Sequence, residues 1–155
     1  MSLNEEVELL RNIPLFSKLE PSKLKLLAFT AERITYEPDQ VLFKQGDVGD
    51  AAYIIVDGAA KVLVDTPDGE LEVAALGRND FVGEIAILCD VPRTATVRAS
   101  AKTVTLRITK DLFFRLVAEF PEMSVEIMRE LASRLEHTTQ QLREILQTAH
   151  DLDAT

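Results

Sequence analysis

The sequence predicts a mainly β fold with helices at both ends, in which about eight short strands close into a β-sandwich or jelly-roll barrel. Three observations predict it. Apolar residues recur at helical spacing near both termini and at a spacing of two through the middle. Turn-forming clusters punctuate that middle stretch at short intervals. A proline, Pro121, then divides the C-terminal helical stretch in two. The expected divisions are helices over residues 4–30, a barrel over 31–109 and helices over 110–147, within one domain spanning 1–155.

In order along the chain, Asn4 is placed to cap a helix over Glu5–Arg11, with Val7, Leu10 and Arg11 carrying the turn. Pro14 interrupts, and Pro21 opens a second helix with Leu24, Leu27 and Ala28 along one face. From residue 31 the period changes. Val41 and Phe43 alternate with Leu42 and Lys44, and Leu71, Val73 and Ala75 with Glu70, Glu72 and Ala74. Val104, Leu106 and Ile108 alternate with Thr103, Thr105 and Arg107. Between these runs stand Pro38-Asp39, Gly46-Asp47, Asp57-Gly58, Pro67-Asp68-Gly69 and Gly77-Arg78-Asn79-Asp80, each with turn chemistry. Thr109 can cap a helix from Lys110 to Glu119. Phe120, preceding a proline, is pushed out of the helical region and forms a joint. A last helix runs from Pro121 to about Gln147, after which the tail is expected to fray.

Composition narrows the function. A chain of 155 residues with 46% hydrophobic and 28% charged residues can bury a core and is not disordered. Its formal net charge of −9 argues against a broad nucleic-acid-binding face, because an acidic surface repels phosphate at long range. A nucleotide would need a locally positive recess. The lone Cys89 excludes an internal disulfide and suits a reducing cytoplasm. Glu5, Glu6 and Glu8 do not suit an export signal, and no apolar run approaches the length that spans a bilayer. The two histidines, His137 and His150, both fall in the terminal helical segment. The barrel therefore lacks the imidazoles of a metal-dependent barrel enzyme, and no Ser-His or Cys-His pair can be assembled from its strands. Neither catalysis nor a cofactor is expected.

One segment, Phe81 to Val97, breaks the strand pattern. Alternation stops at Gly83, and Glu84–Leu88 suits a single helical turn lodged in a β scaffold. A glycine before such a turn lets a ligand approach the free amides of Gly83, Glu84, Ile85 and Ala86, a cradle for an anion. In the strand that follows, Ala95, Val97 and Ala99 share one face, and the same alternation sets Arg93 on it, pointing inward. A guanidinium there is costly unless paired, and its planar fork matches a phosphate. The plainer reading makes Arg93 a surface arginine or a structural ion-pair partner of Glu84. Glu84 should avoid a bound anion and accept from ligand hydroxyls, the plainer reading being a solvated carboxylate at a helix start. Thr94 and Ala95 adjoin Arg93 in sequence, the plainer reading of Thr94 being that it points to solvent.

Gly83-Glu84-Ile85-Ala86-Ile87-Leu88 followed by Pro92-Arg93-Thr94-Ala95-Thr96-Val97 closely resembles the phosphate-binding cassette of cyclic-nucleotide-binding domains. Such domains occur in catabolite-activator-type regulators, regulatory subunits of cyclic-AMP-dependent kinases and cyclic-nucleotide-gated channels. Phe43-Lys44-Gln45-Gly46-Asp47 and Gly49 to Gly58 are similar to that family's early strands and turns, so the likeness covers roughly residues 13–135. The resemblance implies an eight-stranded jelly roll whose Glu84 takes the ribose 2′-hydroxyl, whose Arg93 takes the cyclic phosphate, and whose final helix lids the base. It implies a small-molecule ligand, cyclic AMP ahead of cyclic GMP, although the Thr94 hydroxyl is placed to meet a guanine amine.

The last helix carries Met128, Leu131, Leu135, Thr138, Leu142 and Ile145 at spacings of three and four. This stripe reads as packing on the barrel, as a lid over the base, or as the seam of a parallel homodimer. Leu131, Arg134 and Leu135 lie about where the family places the residue that covers the base. The function expected is a sensor that relays occupancy through this helix. The alternative is a degenerate domain of the same fold, kept for dimerisation without nucleotide.

Overall fold

The computed structural model describes residues 3–13 and 16–153. Pro14, the expected interruption between the first helices, lies outside the described residues. The first helix, α1, spans Leu3–Arg11 and buries Val7, Leu9 and Leu10. Asn4 sits inside its first turn rather than capping it. The second, α2, spans Pro21–Thr30 and starts on its proline, where a missing N–H costs no helical bond. It buries Leu24, Leu27 and Ala28, as their spacing predicts.

Eight strands follow among the described residues: β1 (Glu32–Tyr36), β2 (Val41–Phe43), β3 (Ala51–Asp57), β4 (Ala60–Thr66), β5 (Gly69–Leu76), β6 (Phe81–Val82), β7 (Thr96–Ala99) and β8 (Thr103–Thr109). They form two antiparallel four-stranded sheets, ordered β1-β8-β3-β6 and β2-β7-β4-β5, the jelly roll that the spacing of turns predicts. A short helix, α3 (Glu84–Cys89), breaks the chain between β6 and β7.

The core divides about β3. Ala52, Ile54 and Val56 face a cluster shared with the helices, including Leu10, Leu24, Leu27, Phe113 and Met123. Ala51, Tyr53 and Ile55 face the barrel interior with Leu42, Ala60, Val97 and Ala99. This strand is buried on both faces, which is why Ala51–Val56 reads as a continuous apolar run. On β8 both faces are likewise covered. Thr103 and Thr105 are fully buried, their hydroxyls donating to the carbonyls of Ala59 and Ile34.

Two strands depart from their sequence patterns. Val41 and Phe43 were expected to share a face, but β2 carries a bulge: Val41 stands opposite Arg98 and Phe43 opposite Val97. The apolar members of β5 do not form a buried face, since Leu71 and Val73 are 54% and 47% exposed on this edge strand.

At the C-terminal end, the Thr109 hydroxyl accepts from the Leu112 amide at 3.3 Å and caps α4 (Lys110–Glu119). Phe120 leaves the helical region at φ −126°, ψ 81°, as a residue before proline must. The last helix, α5, runs from Pro121 to Asp153, beyond the expected end near Gln147, through residues that include no glycine or proline to stop it. Only its first turns bury Met123 and Ile127; Met128, Leu135, Leu142 and Ile145 are all more than half exposed.

Candidate functional site

The break after β6 is made by Gly83, whose φ of +95° lies in the left-handed region. A Cβ there would stand 2.8 Å from Nη1 of Arg93 and 3.2 Å from the Ala51 carbonyl oxygen. Conformation and space both require glycine. The amides of the first turn of a helix have no partner within it. Here Gly83, Glu84, Ile85 and Ala86 border a cavity of about 510 Å³, within the size range of small-molecule sites.

Arg93 enters the same cavity from the opposite side of the break and is 4% exposed. The β2–β3 turn fixes its backbone: Gly46 N–H donates to its carbonyl and its own N–H donates to Asp47, each at 2.8 Å. Its Nη1 donates to the Gly83 carbonyl at 2.9 Å and its Nη2 to the Ala51 carbonyl at 2.6 Å. The guanidinium carbon lies 3.9 Å from the centroid of the Phe43 ring. Nε is buried and has no hydrogen-bond partner. The fork is thus held by carbonyls and a ring face. Burial pulls the guanidinium pKa below its ordinary value, opposed by Tyr53 and by the Asp50 carboxylate. An anion beside Nε would reverse that burial effect.

Glu84, the structural partner considered for Arg93, is paired with α5 instead. It is 2% exposed, and Arg134 Nη1 donates to its carboxylate at 2.5 Å. Arg134 also donates through Nη2 to the Phe81 carbonyl and through Nε to Glu130 at 3.3 Å. Burial pushes the Glu84 carboxyl above the ordinary glutamate range, and the Arg134 guanidinium draws it partly back. One side chain therefore ties the last helix to the floor of the cavity.

Thr94, Ala95 and Arg134 line this cavity with Gly83–Ala86 and Arg93. Leu131 packs against the helical core and lines a second cavity of about 540 Å³. Leu135 is 68% exposed and borders neither. From α5 the wall is made by Glu130, Arg134, His137, Thr138 and Gln141. Sequence reasoning passed over the apolar wall opposite: Phe43, Val62, Val73, Leu76, Val82 and Val97. Val62 and Val97 stand opposite one another across β4 and β7, so correct strand pairing would have found them. Nothing in the sequence signals the bulge that aims Phe43. The arrangement suits a ligand with an anionic group for Arg93 and the amides, a hydroxyl for Glu84, and a flat apolar portion against the valines.

A jelly roll in which a glycine-led short helix and a buried arginine border one cavity is the architecture of a known class of regulatory domain. Residues 33–120 match the cyclic nucleotide-binding domain, and the chain belongs to that family. It is 36% identical over 115 residues to the cAMP-dependent protein kinase regulatory subunit of Blastocladiella emersonii, covering 74% of this chain and 28% of that protein. It is 29% identical over 142 residues to the CRP-like cAMP-activated global transcriptional regulator of Mycobacterium tuberculosis, covering 91% of this chain and 63% of the regulator. The chain thus spans less than two thirds of either relative. The crystal structure of Thermus thermophilus Catabolite Activator Protein superposes with a TM-score of 0.76 at 27% identity, covering 85% of this chain and 62% of that one. No helix among the described residues is long and apolar enough to cross a membrane.

Proposed function

We propose that this chain is a non-catalytic sensor domain that binds a cyclic nucleotide, cyclic AMP ahead of cyclic GMP, and relays occupancy by movement of α5. The observation that carries the reading is the buried, unpartnered Nε of Arg93, on a guanidinium held by carbonyls inside a cavity. A buried donor left unpaired costs about 1–3 kcal/mol, and a phosphate at that edge satisfies it with a charge-assisted bond. In this reading the phosphate sits on Arg93 and the amides of Gly83–Ala86, with Thr94 and Ala95 beside it. Glu84 accepts the ribose hydroxyl, displacing part of its contact with Arg134. The base lies between the valine wall and α5. Of Leu131, Arg134 and Leu135, Arg134 covers it, being the one that lines the cavity. The preference for cyclic AMP is supported by the names of the fungal and mycobacterial relatives. A cytoplasmic setting suits the lone, exposed Cys89.

A second reading has support of its own. Because Arg134 already neutralises Glu84, the fold satisfies part of its site internally, as a structural module that binds no nucleotide would. Calorimetric titration with cyclic AMP and cyclic GMP separates the two. Binding by the wild type, weakened by about 2–5 kcal/mol in Arg93→Ala, supports the sensor. No heat with either nucleotide leaves the structural module.

A further inference from the structure

Phe43 lines the cavity with its ring against the Arg93 guanidinium, yet it has no hydrogen-bonding chemistry to offer a nucleotide. We propose that Phe43 is a positioning residue, which holds the Arg93 guanidinium in its anion-binding pose by stacking while leaving its N–H donors free. This deepens the nucleotide-binding reading and rests on it for its ligand.

The argument starts from the donors. An arginine has five N–H groups in one plane and no acceptor. Two of them go to the Gly83 and Ala51 carbonyls, and Nε has no partner. A carboxylate used to anchor this side chain would take the in-plane edge that an anion needs. It would also add a negative charge next to the site. A ring face does neither, because it attracts the cation from above the plane. The Phe43 centroid lies 3.9 Å from the guanidinium carbon, well inside the distance at which that attraction acts.

The ring reaches this place through local backbone geometry. Between Val41 and Phe43 the strand gains one residue relative to β7, and a bulge of this kind re-aims the side chain that follows it. Leu42 is buried in the barrel core, Phe43 lines the cavity, and Val41 does not. The Phe43 ring is backed by Tyr53, with centroids 5.8 Å apart and planes tilted by 33°. Tyr53 is itself 6% exposed, so the stack beneath Arg93 is packed into the core.

The test uses Phe43→Leu, which keeps apolar bulk and loses the ring face, and Phe43→Trp, which keeps a face. The first measurement needs no ligand. In the wild type, the Arg93 Nε–H proton should show an aromatic ring-current shift by NMR and slow exchange with water. Both should be lost in Phe43→Leu and kept in Phe43→Trp. The second compares cyclic AMP with adenosine, which lacks the phosphate. Phe43→Leu should weaken cyclic AMP about tenfold, the scale of a partly desolvated cation–ring contact, and adenosine by less than about twofold. In an Arg93→Ala background Phe43→Leu should add no further loss. An unchanged Arg93 resonance in Phe43→Leu, or equal losses for the two ligands, overturns the proposal. If the wild type binds no cyclic nucleotide but the resonance responds as described, the nucleotide reading falls and the positioning role stands. Should Phe43→Leu not fold, Phe43→Met provides the same comparisons.

Discussion

Gly83 bears a left-handed φ and a Cβ position 2.8 Å from Arg93, and both constraints act on the same few atoms. Gly83→Ala should therefore cost about 1–3 kcal/mol of stability in urea unfolding, the scale of a strained backbone position. It should also displace the guanidinium and weaken nucleotide binding. Glu84 makes a prediction with a definite sign. Its carboxyl is raised above its value in an unfolded chain, 4.5, chiefly by burial. The fold thus favours the protonated form, and this contribution to stability is present below that value and lost as pH rises through the raised one. The stability of Glu84→Gln relative to wild type should increase with pH across that window, measured by chemical denaturation at several pH values. A flat difference would mean that Arg134 fully compensates the burial. Binding should follow the opposite course if, as proposed, the ionised carboxylate accepts a ribose hydroxyl: wild-type affinity should fall on the acid side. In Arg134→Ala, without the counter-charge, that fall should begin at a higher pH.

Among the elements, α5 divides into a part that is packed and a part that is not. Met123 and Ile127 anchor its first turns, Arg134 ties its middle to Glu84, and beyond Gln141 its residues are exposed. A ligand that competes for Glu84 should shift the position of the helix about the Phe120-Pro121 joint. Hydrogen exchange over Met123–Leu142 should slow when nucleotide binds; unchanged exchange would argue against a relay through this helix. The elements also differ in how far the sequence revealed them. The turn at Gly83 and the joint at Phe120 were legible because glycine and proline act through the backbone alone. The bulge in β2 was not, because it depends on register with β7, about a third of the chain away. The exposure of β5 was hidden for a similar reason. Alternation marks which residues share a face, but not whether anything covers it.

At the scale of the whole molecule, the net charge of −9 opposes the approach of the anion proposed to bind beside Arg93. Long-range repulsion should slow capture, and added salt should screen it. Stopped-flow association of cyclic AMP should therefore quicken as ionic strength rises, whereas a site with a positive approach would slow. The exposed apolar residues of α5 make a second global prediction. Met128, Leu135 and Leu142 recur every seven residues, as do Leu131, Thr138, Ile145 and Leu152, which is the spacing of a parallel two-helix seam. Sedimentation should find a dimer at micromolar concentration and a monomer for Leu135→Glu. A monomeric wild type would leave the stripe as surface. The sequence showed the stripe and its period. It did not show that Met128, Leu135, Leu142, Ile145 and Leu152 are left exposed while Leu131 packs on the helical core, because that follows from how far the helix extends past the packed layers.

The double burial of β3 limits how this barrel can respond to a guest. Ala51 and Ala52 are adjacent in sequence but belong to separate compartments, one beside the arginine and the other against the helices. A slide of that strand by a single residue would exchange the side chains of these two buried compartments, so the middle of the roll has little freedom to creep. Accommodation has to occur at the periphery, in the outermost strand Gly69–Leu76 and the long helix, which also supply the remaining walls of the chamber.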